Sequence, residues 1–158
     1  MINLKSLSKK KITVRTGINS KSVLATMTNA FSSTDSSEAL VDIVALYDLF
    51  DAKNYEIWVV HPYDPKSDYK IDIHEPIVYS KKQEDVIDTT VHVKKEDYEI
   101  IKYLAKQSRN FKTPSLFVSQ SVLFLYKLIA LYDQGSHIKI INGDVANDFS
   151  GHFDLFLA

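Results

Sequence analysis

Lys11-Ile12-Thr13-Val14-Arg15 and Thr90-Val91-His92-Val93-Lys94 are the two stretches of sequence that decide the fold. In both, polar or basic residues alternate with β-branched apolar residues, and this two-residue period is typical of a strand with one buried face. The phase of the alternation is the same in both, so both strands are expected to turn their apolar side chains toward a core. The positions predicted to face the core are Ile12, Val14, Val91 and Val93.

The residues around these two strands indicate an internal repeat. Each strand precedes two segments with helical spacing of apolar residues and then another strand-like stretch. The tetrapeptide Ala45-Leu46-Tyr47-Asp48 recurs as Ala130-Leu131-Tyr132-Asp133. The predicted helices cover 20–31, 36–50, 95–106 and 119–133, and the predicted trailing strands cover 55–60 and 137–141. The order strand, helix, helix, strand therefore occurs twice, with about six extra residues between the helices of the second copy, at 110–117.

The composition predicts a folded α+β protein that is mostly helical. Of the 158 residues, 45% are hydrophobic and 25% are charged, which is a globular balance. The helix at 119–133 is apolar on nearly every side and is expected at the centre of a core that both copies share. The predicted divisions are a first unit with a basic arm at 1–60, a linker or hairpin at 61–88, a second unit at 89–142 and an acidic, aromatic tail at 143–158.

Charge and residue types narrow the classes of function. The net charge is −1, but residues 1–30 carry six basic residues and no acid, and the bases also exceed the acids over 90–134. Cysteine is absent, and the five histidines include no pair spaced as His-x-x-x-His, so neither a metal nor another cofactor is expected. No catalytic residues are predicted, because adjacent carboxylates such as Glu96-Asp97 are typical of helix starts. No signal peptide or membrane span is expected, which favours a cytoplasmic protein without a membrane partner.

A short alternating strand, a helix of about three turns, a polar break of the form Ser/Thr-x-Ser and a longer apolar helix together resemble the ribbon-helix-helix family of DNA-binding proteins. The resemblance covers roughly 12–50 and 90–133. It implies two tandem units whose strands pair antiparallel and enter a major groove of double-stranded DNA. Two units in one chain are similar to the tandem accessory proteins of conjugative plasmid relaxosomes. The sequence leaves open whether the ribbon forms within one chain or between two chains.

The resemblance implies two kinds of DNA contact. The side chains that face away from the core would contact bases, and those predicted are Lys11, Thr13, Arg15, Thr90, His92 and Lys94. Helix starts and basic segments would contact phosphates, and those predicted are Thr34, Ser36, Ser119, Ser121, Lys9, Lys10, Arg109 and Lys112. An exposed edge strand, ordinary N-capping and a solvated basic tail or loop are the alternatives for these same residues.

The resulting hypothesis is a DNA-binding protein that performs no chemistry and acts at a plasmid origin of transfer. The two strands differ in sequence, so the expected site is asymmetric or directly repeated. The expected partners are a relaxase or coupling protein, with homo-oligomers on the DNA. A transcriptional repressor, an antitoxin or a plasmid-partition adaptor would use the same surface. From another class, a mobile-element protein-interaction protein without DNA binding stays open.

Overall fold

The computed structural model of this chain describes residues 10–17, 19–31, 35–52, 55–75, 88–108 and 110–142. Within these residues the fold is α+β, as predicted, with four α-helices and two small sheets. The tail at 143–158 and residues 76–87 of the segment between the units lie outside the described residues. The elements in chain order are β1 (Lys10–Val14), α1 (Ser20–Ala30), α2 (Ser36–Ala52), β2 (Tyr55–Val60), a 3-10 turn (Pro65–Ser67), β3 (Tyr69–Ile71), β4 (Thr89–Val93), α3 (Lys95–Gln107), α4 (Pro114–Asp133) and β5 (His137–Asn142).

The order strand, helix, helix, strand occurs twice, as β1-α1-α2-β2 in the first copy and as β4-α3-α4-β5 in the second copy. The leading strands β1 and β4 pair antiparallel and form a two-stranded ribbon. The trailing strands β2 and β5 also pair antiparallel, and β3 adds to the other edge of β2. Both pairings lie within one chain, so the two copies are joined at both ends by sheets.

The register of the ribbon relates the two copies by an approximate twofold axis. Ile12 and Val91 occupy equivalent positions in their alternating stretches, and they are direct partners across the ribbon. On either side of this pair, Thr13 lies opposite Thr90 and Lys11 lies opposite His92. In this register the apolar side chains of both strands lie on one side of the ribbon, and the polar side chains lie on the other.

The second sheet contains the hairpin that the sequence predicted between the units. The backbone turns over Pro65–Ser67, where the Asp68 carboxylate accepts a hydrogen bond from the His61 N–H at 2.6 Å. Strand β3 ends at Ile71. It ends there because the Asp72 carboxylate accepts the His74 N–H at 2.9 Å and turns the chain.

One hydrophobic core unites the two copies. The inner side chains of the ribbon belong to the same buried cluster as the inner faces of all four helices and of the second sheet. Helix α4 lies at its centre, as predicted, with eleven buried residues. By length and composition alone α4 could cross a membrane, but 61% of its apolar stretch is buried inside the protein. Each copy thus buries the apolar face of the other.

Helix α4 begins earlier than predicted. The sequence pattern predicts a start at Ser119, whereas Pro114 is the first residue of the helix and Thr113 is its N-cap. The Thr113 hydroxyl accepts the Leu116 N–H at 3.3 Å, and proline suits the first helical position because its missing N–H would have no helical partner there. Part of the insertion placed at 110–117 is therefore an extra helical turn rather than a loop.

The repeated tetrapeptide does not occupy equivalent positions in the two copies. Tyr47 is fully buried in the middle of α2, whereas Tyr132 is 37% exposed in the last turn of α4. The hydroxyl of Tyr47 donates to the Ile73 carbonyl at 2.6 Å. The duplication is thus visible in the order of elements and in the ribbon register, while the identical residues that suggested it serve different purposes.

Candidate nucleic-acid interface

The ribbon separates its side chains into a buried face and an outer face. Ile12, Val14 and Val93 have no exposed surface, and Val91 is 7% exposed. The structure places all six predicted base-contacting residues on the opposite side, where Thr13 is half-buried and the other five are exposed. The predicted strand phase is therefore confirmed. The outer residues are Lys11, Thr13, Arg15, Thr90, His92 and Lys94.

The outer face carries basic residues at both ends and in one of its two middle pairs. Thr13 and Thr90 lie side by side, and Lys11 and His92 form the next pair. Arg15 and Lys94 each follow the last residue of a strand, so they lie at opposite ends of the ribbon. The equivalent residues Arg15 and Lys94 lie at opposite ends because the two strands run antiparallel.

Serine hydroxyls from the second helix of each copy bind the strand of the other copy. The N–H of Arg15 donates to Ser119 Oγ of α4 at 2.9 Å. The N–H of Lys94 donates to Ser37 Oγ of α2 at 3.3 Å, and Ser37 Oγ donates to the Asp97 carboxylate at 2.9 Å. These bonds satisfy backbone donors just beyond the paired strands, where the sheet supplies no acceptor. Each strand of the ribbon is thus held by the second helix of the other copy.

Helix α4 also contacts β1 through a serine in its first turn. The N–H of Thr13 donates to Ser115 Oγ at 3.2 Å. Ser115 lies in the extra turn at the start of α4, so the early helix start adds a second hydroxyl along the free edge of β1. A strand edge covered in this way is closed to pairing with another strand.

The predicted phosphate contacts at Ser119 and Ser121 are wrong. Both residues lie within α4 rather than at its start, and their exposures are 2% and 0%. Ser119 binds the ribbon, and the Ser121 hydroxyl donates to the Phe117 carbonyl at 2.7 Å. A phosphate cannot reach either hydroxyl. The signal in the sequence was the polar run Ser119-Gln120-Ser121 within an apolar helix, because buried polar residues there require backbone partners.

The other predicted phosphate-binding residues fall into two groups. Lys10 and Lys112 are exposed, as such a role requires. Helix α2 begins at Ser36, where the Asp35 carboxylate accepts the Ser37 N–H at 2.8 Å and so occupies the position that a phosphate would take at this helix start. The residues Thr34, Lys9 and Arg109, and the side chain of Ser36, lie outside the described residues.

An ion pair between Arg15 and Asp88 at one end of the outer face was not foreseen. Arg15 Nε lies 2.9 Å from Asp88 Oδ2, and the two side chains are 61% and 40% exposed. Asp88 immediately precedes β4, and continuing the ribbon register by one step places it opposite Arg15. The register was the signal that could have revealed this pair.

Core helices also anchor the segment that follows β3. Gln120 Nε2 of α4 donates to the Glu75 carbonyl at 2.7 Å, and His74 Nε2 lies 2.5 Å from the Asp51 carboxylate of α2. Burial raises the pKa of Tyr47, whose hydroxyl binds the same segment. Among the described residues, no group of three or more histidine, cysteine, aspartate or glutamate residues could hold a metal ion. These polar contacts hold the segment after β3 against the core helices.

No protein-family model matches this chain, and no curated protein or solved structure shows significant similarity to it. Its function is therefore inferred from its own residues.

Proposed function

We propose that this chain binds double-stranded DNA at specific sequences, as two tandem ribbon-helix-helix units whose ribbon lies in the major groove. The observation that carries the proposal is the antiparallel pairing of β1 and β4, with apolar side chains beneath and polar side chains above. A major groove about 12 Å wide admits a two-stranded ribbon of this kind. The shared core beneath the ribbon supports it, because it holds the strands rigidly enough to present fixed side chains.

The outer side chains match the chemistry of base edges. Lys11, Arg15 and Lys94 are donors for guanine O6 and N7, and a bidentate arginine contact adds about 1–3 kcal/mol of discrimination. Thr13 and Thr90 supply hydroxyls that donate or accept, and their methyl groups suit the thymine methyl. His92 donates or accepts according to its tautomer and protonation.

The charges around the ribbon favour a phosphate backbone despite the net charge of −1. Lys10, Lys11, Arg15, Lys94 and Lys95 are all exposed on or beside the ribbon. Phosphates flanking the groove would meet the exposed Lys10 and Lys112. Lys9 precedes Lys10 in sequence, and Arg109 lies three residues before Lys112. Affinity should therefore fall steeply with salt. The logarithm of the binding constant should decrease against the logarithm of the salt concentration with a slope of about −0.9 for each phosphate neutralised.

The two strands carry different residues at equivalent positions, so the two halves of the proposed DNA site are unequal. Equivalent positions on the two strands carry Lys11 and Thr90, Thr13 and His92, and Arg15 and Lys94. A homodimer would present identical halves, whereas this ribbon presents a different donor or acceptor at each equivalent position. The proposed target is therefore an asymmetric or directly repeated site.

An asymmetric site suits a non-catalytic accessory factor of a relaxosome in the cytoplasm. Such a factor would mark one strand polarity at an origin of transfer and recruit a relaxase or coupling protein, with further copies on neighbouring sites. A transcriptional repressor, an antitoxin or a partition adaptor would use the same ribbon. Co-purification with a relaxase that depends on the origin DNA would support the transfer role over these others.

The test is selection of bound fragments from a random double-stranded DNA pool at increasing salt. Wild-type protein should enrich one asymmetric sequence, and the variant Arg15→Ala with Lys94→Ala should lose that enrichment. The matched control replaces two exposed lysines outside the ribbon, Lys66→Ala with Lys127→Ala, and should retain it. Enrichment of no sequence, or equal enrichment by the ribbon variant, would refute the proposal.

A further inference from the structure

The sheet formed by β3, β2 and β5 has an outer face as well as a buried one. Alternation along the strands directs Ile57, Val59, Ile138 and Ile140 into the core, where α2 and α4 pack against β2 and β5. The opposite face carries Trp58, Val60 and Ile141, all of them half-buried. An apolar sheet face of this composition favours a covering segment or partner.

A tryptophan flanked by two lysines forms the centre of this outer face. Trp58 is the direct partner of Lys70 on β3 and of Lys139 on β5. The indole Nε1 donates to the Glu56 carboxylate at 3.1 Å, which fixes the edge of the ring and leaves its faces to contact other groups. An aromatic ring between two cations suits a ligand that combines aromatic side chains with carboxylates.

The chain itself contains a segment with this chemistry. Strand β5 is an edge strand of this sheet and ends at Asn142, from which residues 143–158 continue. Three aspartates, Asp144, Asp148 and Asp154, alternate there with the apolar residues Phe149, Phe153, Leu155 and Phe156. An extended chain covers about 3.3 Å per residue, so this segment is long enough to return across the six residues of β2.

We propose that residues 143–158 dock on the outer face of this sheet, with the phenylalanines against Trp58 and Val60 and the aspartates beside Lys70 and Lys139. Covalent attachment at Asn142 gives the segment an effective concentration of about millimolar, so even a weak intrinsic affinity keeps the face covered. Single-stranded nucleic acid also stacks on tryptophan beside lysines. The tail is favoured because it is attached to this sheet at Asn142, whereas nucleic acid must bind from solution.

The test uses the fluorescence of Trp58, the one tryptophan of the chain. Full-length protein with Phe149→Ser, Phe153→Ser and Phe156→Ser should emit at longer wavelength and be quenched more strongly by acrylamide than wild type. Synthetic peptide of sequence 143–158, added to this variant at about millimolar, should reverse both changes. Lys70→Glu should shift the emission in the same direction as the triple variant. Lys66→Glu, in the neighbouring 3-10 turn, should leave it unchanged.

Three outcomes overturn the docking proposal. The triple variant could show unaltered emission and quenching, the shielding of Trp58 in wild type could rise with protein concentration, or single-stranded DNA could quench Trp58 in wild type as in the variant. The second outcome would assign the face to another copy of the chain and the third to nucleic acid. Enrichment of double-stranded DNA by the triple variant should equal that of wild type, so failure here is distinguishable from failure of the ribbon proposal.

Discussion

The two copies of the unit agree in how the ribbon is built and differ in what it presents. Ser119 of α4 accepts the N–H that follows β1, and Ser37 of α2 accepts the N–H that follows β4. The corresponding outward residues, Arg15 and Lys94, are both basic, but Arg15 is paired with Asp88. The contacts that hold the strands therefore follow the approximate twofold axis, and the groups that face solvent depart from it. Such a difference is expected of a ribbon whose proposed DNA site has unequal halves.

The largest loss of stability is expected at the Ile12–Val91 pair on the twofold axis. Ile12→Ala removes a side chain with no exposed surface and should lower the free energy of unfolding by about 2–5 kcal/mol. Val91→Ala, at the partner position, removes fewer methyl groups from a site that is 7% exposed and should cost less, by about 0.8 kcal/mol for each methylene of difference. Denaturant titration followed by circular dichroism measures both. Equal costs at the two positions would contradict this expectation.

The serine pair offers a second, smaller way to separate the copies. Ser119→Ala leaves the Arg15 N–H beneath the ribbon without its acceptor, which should cost about 1–3 kcal/mol. Ser37→Ala should cost less, since the bond from the Lys94 N–H is longer at 3.3 Å and water can reach Lys94. Ser22→Ala, an exposed serine of α1, is the control and should change stability by less than about 0.5 kcal/mol. A Ser119→Ala variant as stable as this control would contradict the role assigned to the hydroxyl.

The sequence predicted the strands of the ribbon but not the serines that hold it. Alternation of Ile12 and Val14 with polar neighbours predicts a one-sided strand, because a shift of one residue would bury Lys11 and Thr13. The position of Ser119 could not be found in this way. Whether a serine in an apolar helix caps the start or binds a distant strand depends on where the helix begins, and Thr113-Pro114 provides an equally good start one turn earlier. The Arg15–Asp88 pair likewise depends on the register between strands, which is a tertiary property.

The repeated tetrapeptide gives a third comparison, between Tyr47 and Tyr132. Tyr47→Phe removes the hydrogen bond to the Ile73 carbonyl and should cost about 0.5–1.5 kcal/mol at neutral pH, whereas Tyr132→Phe should cost less because Tyr132 is 37% exposed. Burial raises the pKa of Tyr47 in the folded protein, so above about pH 10 the unfolded chain loses this proton while the folded protein keeps it. Unfolding is therefore favoured as the pH rises.

The difference in stability between wild type and Tyr47→Phe should consequently shrink above about pH 10, since phenylalanine has no proton to lose. Urea titrations at neutral pH and at two alkaline values measure this difference. The matched variant Tyr132→Phe should show no comparable change relative to wild type. A difference for Tyr47→Phe that is constant over the whole range would contradict the raised pKa.

The smallest expected effect concerns the ion pair that makes the two ends of the ribbon unequal. Asp88→Asn should change stability by about 0.2–1 kcal/mol or less, because both partners are substantially exposed. The same substitution should raise affinity for the selected DNA by up to about fivefold, since it breaks the ion pair with Arg15 and removes a negative charge beside the proposed phosphate contacts. Asp133→Asn, an exposed acid at the end of α4, is the matched control and should leave affinity unchanged. Fluorescence anisotropy at fixed salt measures both. If Asp88→Asn instead weakens binding, then Asp88 orients the Arg15 guanidinium for its proposed base contact, and the unequal ends of the ribbon reflect a positioned arginine at one end and an exposed lysine at the other.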